Sequence, residues 1–254
     1  MLSKHDLKVL VRSRSLRFMR DRAAARYVPG AVASFAWRGR TVHYRPGSSD
    51  AEVIYKILLK GGRKAEYWVP DSAAPRVLWD IGANIGAAAL YFGERFPGAE
   101  IHCFEPVRGN FEMLERNVAP HAIRAHHAAL GAADGELEIH ASASARNFGG
   151  YSFHYDGAAA VPVERVPMLT PGRVIASGQA PAPDFIKIDV EGAEYDILTA
   201  FPAERLARVR WLIGELHSKR SFALLEYLSQ WFDIETRKTL GKPLFAFSAR
   251  NKSI

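Results

Sequence analysis

From residue 76 onward the chain repeats one pattern, a short apolar run ended by a turn and followed by a stretch of helix length, and this constrains the fold more than any other feature. RVLWDIG at 76–82 reads as an apolar strand entering a glycine turn, and 85–96 as a helix stopped by Pro97-Gly98. EIHCF at 100–104 is a second strand, 108–117 a helix and 123–127 a third strand. After a strand at 136–141 the alternation resumes with DFIKID at 184–189, a helix at 193–201, RWLIGE at 210–215 and a helix at 221–231. Strands that alternate with helices need crossover connections, which are right-handed and produce a parallel sheet. The predicted class is α/β, a mostly parallel, doubly wound, Rossmann-like sheet.

Both ends depart from that pattern. Residues 232–238 and 244–249, separated by Gly241-Lys242-Pro243, predict an antiparallel hairpin closing the sheet edge. Residues 1–26 read as a helix, 28–45 as short strands turning near Arg38-Gly39-Arg40, and 51–59 as a helix capped from the 46–50 segment. An α+β extension over 1–70 is therefore expected to lie against a main domain over 71–254.

Charge is concentrated in the first 30 residues, where eight Lys and Arg face two Asp, 8 − 2 = +6 of the chain's net +7. The first helix is expected to pack through Leu7, Leu10, Val11 and Phe18, leaving a basic face open to a membrane surface or an anionic substrate. No stacking-aromatic and basic motif appears, so nucleic acid is not an expected partner. The single cysteine, Cys103, excludes an internal disulfide. No apolar run approaches the roughly 20 residues needed to span a bilayer, and a cytoplasmic location is the default expectation. Oligomeric state is not legible.

The turn in WDIGANIG decides the ligand class. A dinucleotide loop is G-x-G-x-x-G, whose second glycine lets the backbone approach a pyrophosphate. Here Asn84 stands two places after Gly82, and Asp80 puts a carboxylate at the strand end, where phosphate would be repelled. S-adenosylmethionine carries an ammonium and a sulfonium and has no phosphate, so the same carboxylate attracts it. Glu105 ends the second strand about 20 residues on, where an acid accepts hydrogen bonds from both ribose hydroxyls. Asp80, Gly82, Ala83, Asn84 and Gly86, with Glu105-Pro106, are the expected cofactor residues. The adenine is expected near Ala129 and Leu130.

DIGANIG at 80–86, FEP at 104–106, Leu114 with Asn117, ALG at 129–131 and IKIDVEGAE at 186–194 together resemble the ordered motifs of FkbM-type S-adenosylmethionine-dependent methyltransferases. The resemblance covers roughly 76–216, with Met168-Leu169-Thr170-Pro171 replacing the usual Leu-Asp-Asp stretch. It implies a class I methyltransferase fold, with Asp189 beside the cofactor methyl.

Methyl transfer to oxygen requires alignment of donor and acceptor and the removal of one proton. Glu215 and His217 end the strand after Asp189, and His217 is a candidate base because its ordinary pKa is near neutrality. Asp189, Glu215 and His217 are equally a donor set suited to a divalent cation. The polar, aromatic segment 142–157 is a candidate substrate loop, with Asn147, Tyr151 and His154 foremost. The expected reaction is O-methylation of a sugar, glycan or secondary-metabolite hydroxyl. The competing readings are a non-catalytic binding platform on the cofactor fold and an NAD-dependent oxidoreductase, which Asp80 and Asn84 oppose.

Overall fold

The computed structural model describes residues 3–24, 27–140, 162–238 and 245–253. Helices α1 (Lys4–Ser13) and α2 (Leu16–Ala23) precede an antiparallel hairpin of β1 (Ala33–Trp37) and β2 (Arg40–Tyr44). Helix α3 (Asp50–Ile54) continues as a π-helical turn over Tyr55–Leu59. The single helix expected over 1–26 is broken. Arg14 is left-handed at φ 50°, and Ser15 restarts the helix by accepting the Phe18 amide, the usual role of serine at a helix start. The buried face differs in part from expectation: Phe18 is inside and Leu10 packs against the core as expected, but Val9 and Met19 are inside too, whereas Leu7 and Val11 are exposed.

The repeating region supplies β3 (Val77–Ile81), α4 (Ala87–Arg95), β4 (Glu100–Phe104), α5 (Arg108–Val118) and β5 (Ile123–His126). After β6 (Ala129–Leu130), β7 (Gly135–His140) and β8 (Pro162–Leu169) come α6 (Pro171–Ala176), β9 (Phe185–Ile188), α7 (Glu194–Thr199) and α8 (Ala203–Leu206). The chain then forms β10 (Trp211–Leu216), α9 (Ser221–Leu228), β11 (Phe232–Lys238) and β12 (Phe245–Asn251).

Seven strands form one sheet in the order β11-β12-β10-β9-β3-β4-β5. From β5 to β10 all neighbours are parallel, and β12 runs antiparallel to both β10 and β11. The winding goes outward from β3 through β4 to β5, then returns to β9 on the other side of β3. Such a reversal opens a crevice beyond the strands' carboxyl ends. The hairpin is added with its last strand innermost. Phe247 and Ala249 of β12 are buried, while Asp233, Glu235 and Arg237 of β11 are exposed, which suits an edge strand.

Strand β8, between β6 and β7 in a separate small sheet, was not expected. Pro162 and Pro167 conceal it, because proline argues against a strand interior.

Alternation along the strands divides the core. Leu78 and Phe185 join one hydrophobic cluster, and their neighbours Trp79 and Ile186 join another. The first cluster also takes in Phe18, Phe35, Tyr44 and Tyr67 from the N-terminal extension. Asn117 of α5 fastens the extension further: its Oδ1 accepts the His43 amide at 2.7 Å, and its Nδ2 donates to Ile85 O at 2.8 Å. Among the described residues, no helix is long and apolar enough to cross a membrane.

Candidate active site

The turn after β3 is built at very close quarters. Gly82 has φ +75°, and a Cβ there would lie 2.0 Å from the Asp189 carbonyl oxygen. Its amide and that of Ala83 donate to Phe104 O at 3.0 and 3.1 Å, which ties the loop to the end of β4. Asn84 is left-handed at φ 51°, a conformation that asparagine tolerates better than most side chains. Its amide donates to Glu105 Oε2 at 2.8 Å. Gly86, also at positive φ, lets α5 approach, since a Cβ would meet Leu114 Cδ1 at 2.8 Å.

This loop, Glu105 and Asp189 face a cavity of about 250 Å³. Ala83, Asn84 and Pro106 also line it. Glu105 is 4% exposed, and its Oε1 accepts the Val107 amide at 3.0 Å. Burial pushes its carboxyl up to about 7, although these amide bonds pull the other way.

Asp80 does not line the cavity. It is fully buried and paired with Lys187 Nζ at 2.9 Å, and the same ammonium donates to Gly82 O at 2.8 Å. Burial opposes charge on Lys187, but Asp80, and then Asp189, raise its pKa. Asp80 therefore holds the lysine that holds the loop, and its charge is answered before any ligand arrives. Lys187 itself reaches the cavity wall.

Asp189 leaves β9 with its amide donating to Ile81 O at 3.0 Å, and its Oδ2 accepts the Tyr67 hydroxyl at 2.7 Å. Tyr67 is buried, lies beneath the Lys187 ammonium and lines the cavity. No local signal marks this residue, which stands 122 positions from its partner.

His217, just beyond β10, is enclosed by carboxylates. Its Nδ1 is 2.8 Å from Glu194, and its Nε2 faces Glu215, Asp189 and Glu191 at 3.5, 3.6 and 3.8 Å. Burial works against a charged ring, but bonds to Glu194 and Glu215 and the charges of Asp189 and Glu191 outweigh it, raising the pKa to about 11. In these surroundings the imidazole is a cation at neutral pH, so the expected role of free base does not fit it. Glu194, in the first turn of α7, accepts the Gly192 amide at 3.2 Å and orients His217 as well. Glu191 has φ 53° and lines the cavity, and burial pushes its carboxyl up to about 7 despite His217. Asp189, Glu215 and His217 bring one donor atom each to within 4.8 Å of one another.

Ala129 and Leu130 are buried in β6 and do not line this cavity; Val107 and Ile139 do. Asn147, Tyr151 and His154 lie outside the described residues.

The family model for the methyltransferase FkbM domain matches residues 80–238. Hexuronic acid methyltransferase AglP of Haloferax volcanii is 28% identical over 197 residues, covering 77% of this chain and 71% of that protein. The 31-O-demethyl-FK506 methyltransferase FkbM of Streptomyces tacrolimicus is 27% identical over 171 residues, 56% of this chain and 65% of that one. Among solved structures, precorrin-6y C5,15-methyltransferase from Geobacter metallireducens GS-15 superposes with a TM-score of 0.43 at 14% identity, over 72% of this chain and 85% of that chain. That likeness is too loose to bear on cofactor or substrate.

Proposed function

The chain belongs to the FkbM methyltransferase family, and from that premise we propose that it is an S-adenosylmethionine-dependent O-methyltransferase acting on a sugar or secondary-metabolite hydroxyl. The observation that carries this reading is the buried Glu105 carboxylate, set in a cavity wall between the left-handed Asn84 loop and Asp189. Glu105 Oε2 accepts the Asn84 amide and retains a lone pair for a ribose hydroxyl, while Oε1 accepts the Val107 amide and, at 3.4 Å, Asn110 Nδ2. Gly82, Ala83, Asn84 and Pro106 would shape the remaining contact, while Asp80 acts through Lys187. Relatives acting on a hexuronic acid and on a demethylated FK506 support the acceptor class.

When bound, S-adenosylmethionine supplies an electrophilic methyl group and a neutral thioether leaving group. The chain's own work is alignment and proton removal. Asp189, fixed by Tyr67, is placed to hold the acceptor hydroxyl, and the proton passes to the carboxylate group formed by Asp189, Glu191 and Glu215. The His217 cation keeps these like charges together. Positioning is the larger contribution, since alignment supplies roughly 7–11 kcal/mol of barrier reduction and a base typically about 10²–10⁴-fold.

The test is cofactor binding as a function of pH. Ionised Glu105 is the form that accepts a ribose hydroxyl, so with its pKa near 7 affinity rises as pH increases toward that value and levels off above it. Glu105→Gln is expected to lose about 1.5–3 kcal/mol of S-adenosylhomocysteine affinity, the worth of a hydrogen bond to a charged group, together with the pH dependence. Calorimetry that finds full affinity and an unchanged pH profile in Glu105→Gln would remove the basis for the reading.

The donor spacing of Asp189, Glu215 and His217 favours a second reading of the same chemistry, assisted by a divalent cation. Glu194 on Nδ1 would leave Nε2 to face the ion once the ion displaces the Nε2 proton, a common carboxylate–histidine arrangement at metal centres. Such an ion would polarise the acceptor oxygen. On this reading, chelator-treated protein loses methyl transfer and Mn²⁺ or Mg²⁺ restores it, while cofactor binding is unaffected. Full activity in chelator would eliminate the ion.

A further inference from the structure

Beside the cofactor cavity lies a second cleft, of about 610 Å³, whose cationic lining comes from three separate stretches of chain. Helix α1 contributes Lys8 and Arg12, the segment after the π-helical turn contributes Lys60, Arg63 and Lys64, and β11 contributes Arg237. Among the described residues, Lys8, Lys60, Arg63, Lys64 and Arg237 have no carboxylate as ion-pair partner. Arg12 is steadied by the Tyr55 hydroxyl at 3.3 Å, which leaves its other N–H groups free to donate. Like charges drawn together from distant parts of a chain repel one another unless an anion lies between them.

The cleft and the cofactor cavity share two wall residues, Glu66 and Glu215. Two carboxylates against six cations leave the lining net positive. Glu66 is 3.5 Å from Lys56, and Glu215 faces the His217 cation at 3.5 Å. A molecule seated among the cations therefore adjoins the carboxylates proposed to receive the acceptor hydroxyl.

We infer that this cleft holds a multiply charged anionic part of the methyl acceptor, a phosphate, pyrophosphate or set of carboxylates, and so presents the neighbouring hydroxyl for methylation. The inference rests on the methyltransferase reading of the adjoining cavity. Six cations exceed what one carboxylate needs, which is why a multiply charged group is specified. The basic N-terminal segment thereby becomes part of acceptor recognition.

The test uses the full chain, with inorganic pyrophosphate, trigalacturonate and neutral maltotriose as probes and S-adenosylhomocysteine as an independent check on the cofactor cavity. At least one anion is expected to bind more tightly than maltotriose, and the preferred one separates a phosphate-bearing acceptor from a uronic one. The affinity is expected to fall as salt rises, since exposed charges are screened over about 8 Å at physiological ionic strength. The triple substitution Arg63→Gln, Lys64→Gln, Arg237→Gln should weaken anion binding about tenfold or more, the loss of at least one charge-assisted bond. Its S-adenosylhomocysteine affinity and melting temperature should stay at parental values. Anion binding no tighter than that of maltotriose, or unaltered by the triple substitution, overturns the inference while the cofactor reading stands. Tighter binding of an anionic vesicle or an RNA oligomer than of either small anion also overturns it, because the surface is then a macromolecular docking face. Parental protein that binds an anion but no S-adenosylhomocysteine refutes the cofactor reading instead.

Discussion

Gly82→Ala is expected to destabilise the chain by about 2–6 kcal/mol, combining roughly 1–3 for a strained backbone with roughly 1–3 for overpacking. It is also expected to lose measurable S-adenosylhomocysteine binding. The alanine Cβ has no free space: the atom 2.0 Å away is the backbone oxygen of Asp189, which cannot rotate aside. Relief requires the β3 turn and the β9 exit to separate. That movement pulls Gly82 O from Lys187 and shifts Asp189 from Tyr67, so fold and site fail together. The loss is a large share of the roughly 5–15 kcal/mol that keeps a domain folded. Chemical denaturation and ligand titration of the same sample check both parts. A variant with parental stability and affinity would mean that the two segments are not in contact.

Asp189→Asn should leave the fold and S-adenosylhomocysteine binding near parental levels but lower kcat by about 10²–10⁴-fold, the range for loss of a positioned proton acceptor. Asparagine matches the shape and retains an oxygen for the Tyr67 hydroxyl, so the side chain keeps its place. What disappears is the negative charge facing the acceptor and the His217 cation. Single-turnover rates at saturating cofactor isolate this step. A rate within about threefold of the parent would mean Asp189 only shapes the pocket, and proton removal would then rest with Glu191 or Glu215.

The sheet was readable because its information is local. EIHCF is a continuous apolar run set off by a turn, and β4 occupies those residues. Strand β11 also occupies the span read for it. Errors arose where a local rule met an opposing tertiary demand. A basic stretch reads as one helix until Ser15 captures an amide. A segment with two prolines reads as coil until β7 and β6 flank it. The loop WDIGANIG announced a sharp turn beside an acidic strand end because glycine and asparagine permit left-handed backbone.

Asp80 looked like an open carboxylate only because sequence spacing does not show what faces a side chain. Lys187 lies 107 positions away in the chain, yet in the folded sheet the two residues are register partners on adjacent strands. His217 likewise has an ordinary pKa in sequence and becomes a cation through four carboxylates gathered around it. Tyr67 and the cations of the second cleft bring the N-terminal extension into the site.

By itself, then, the sequence determined the order of the seven main-sheet strands, the turn at Gly82, the acid at the end of β4 and the family. Backbone conformation and periodicity depend on neighbours along the chain. The tertiary structure decided which charges are neutralised, which carboxylate accepts the Tyr67 hydroxyl and which cations converge. Those properties depend on distance through space and on exclusion of water, and only the closed fold sets either one.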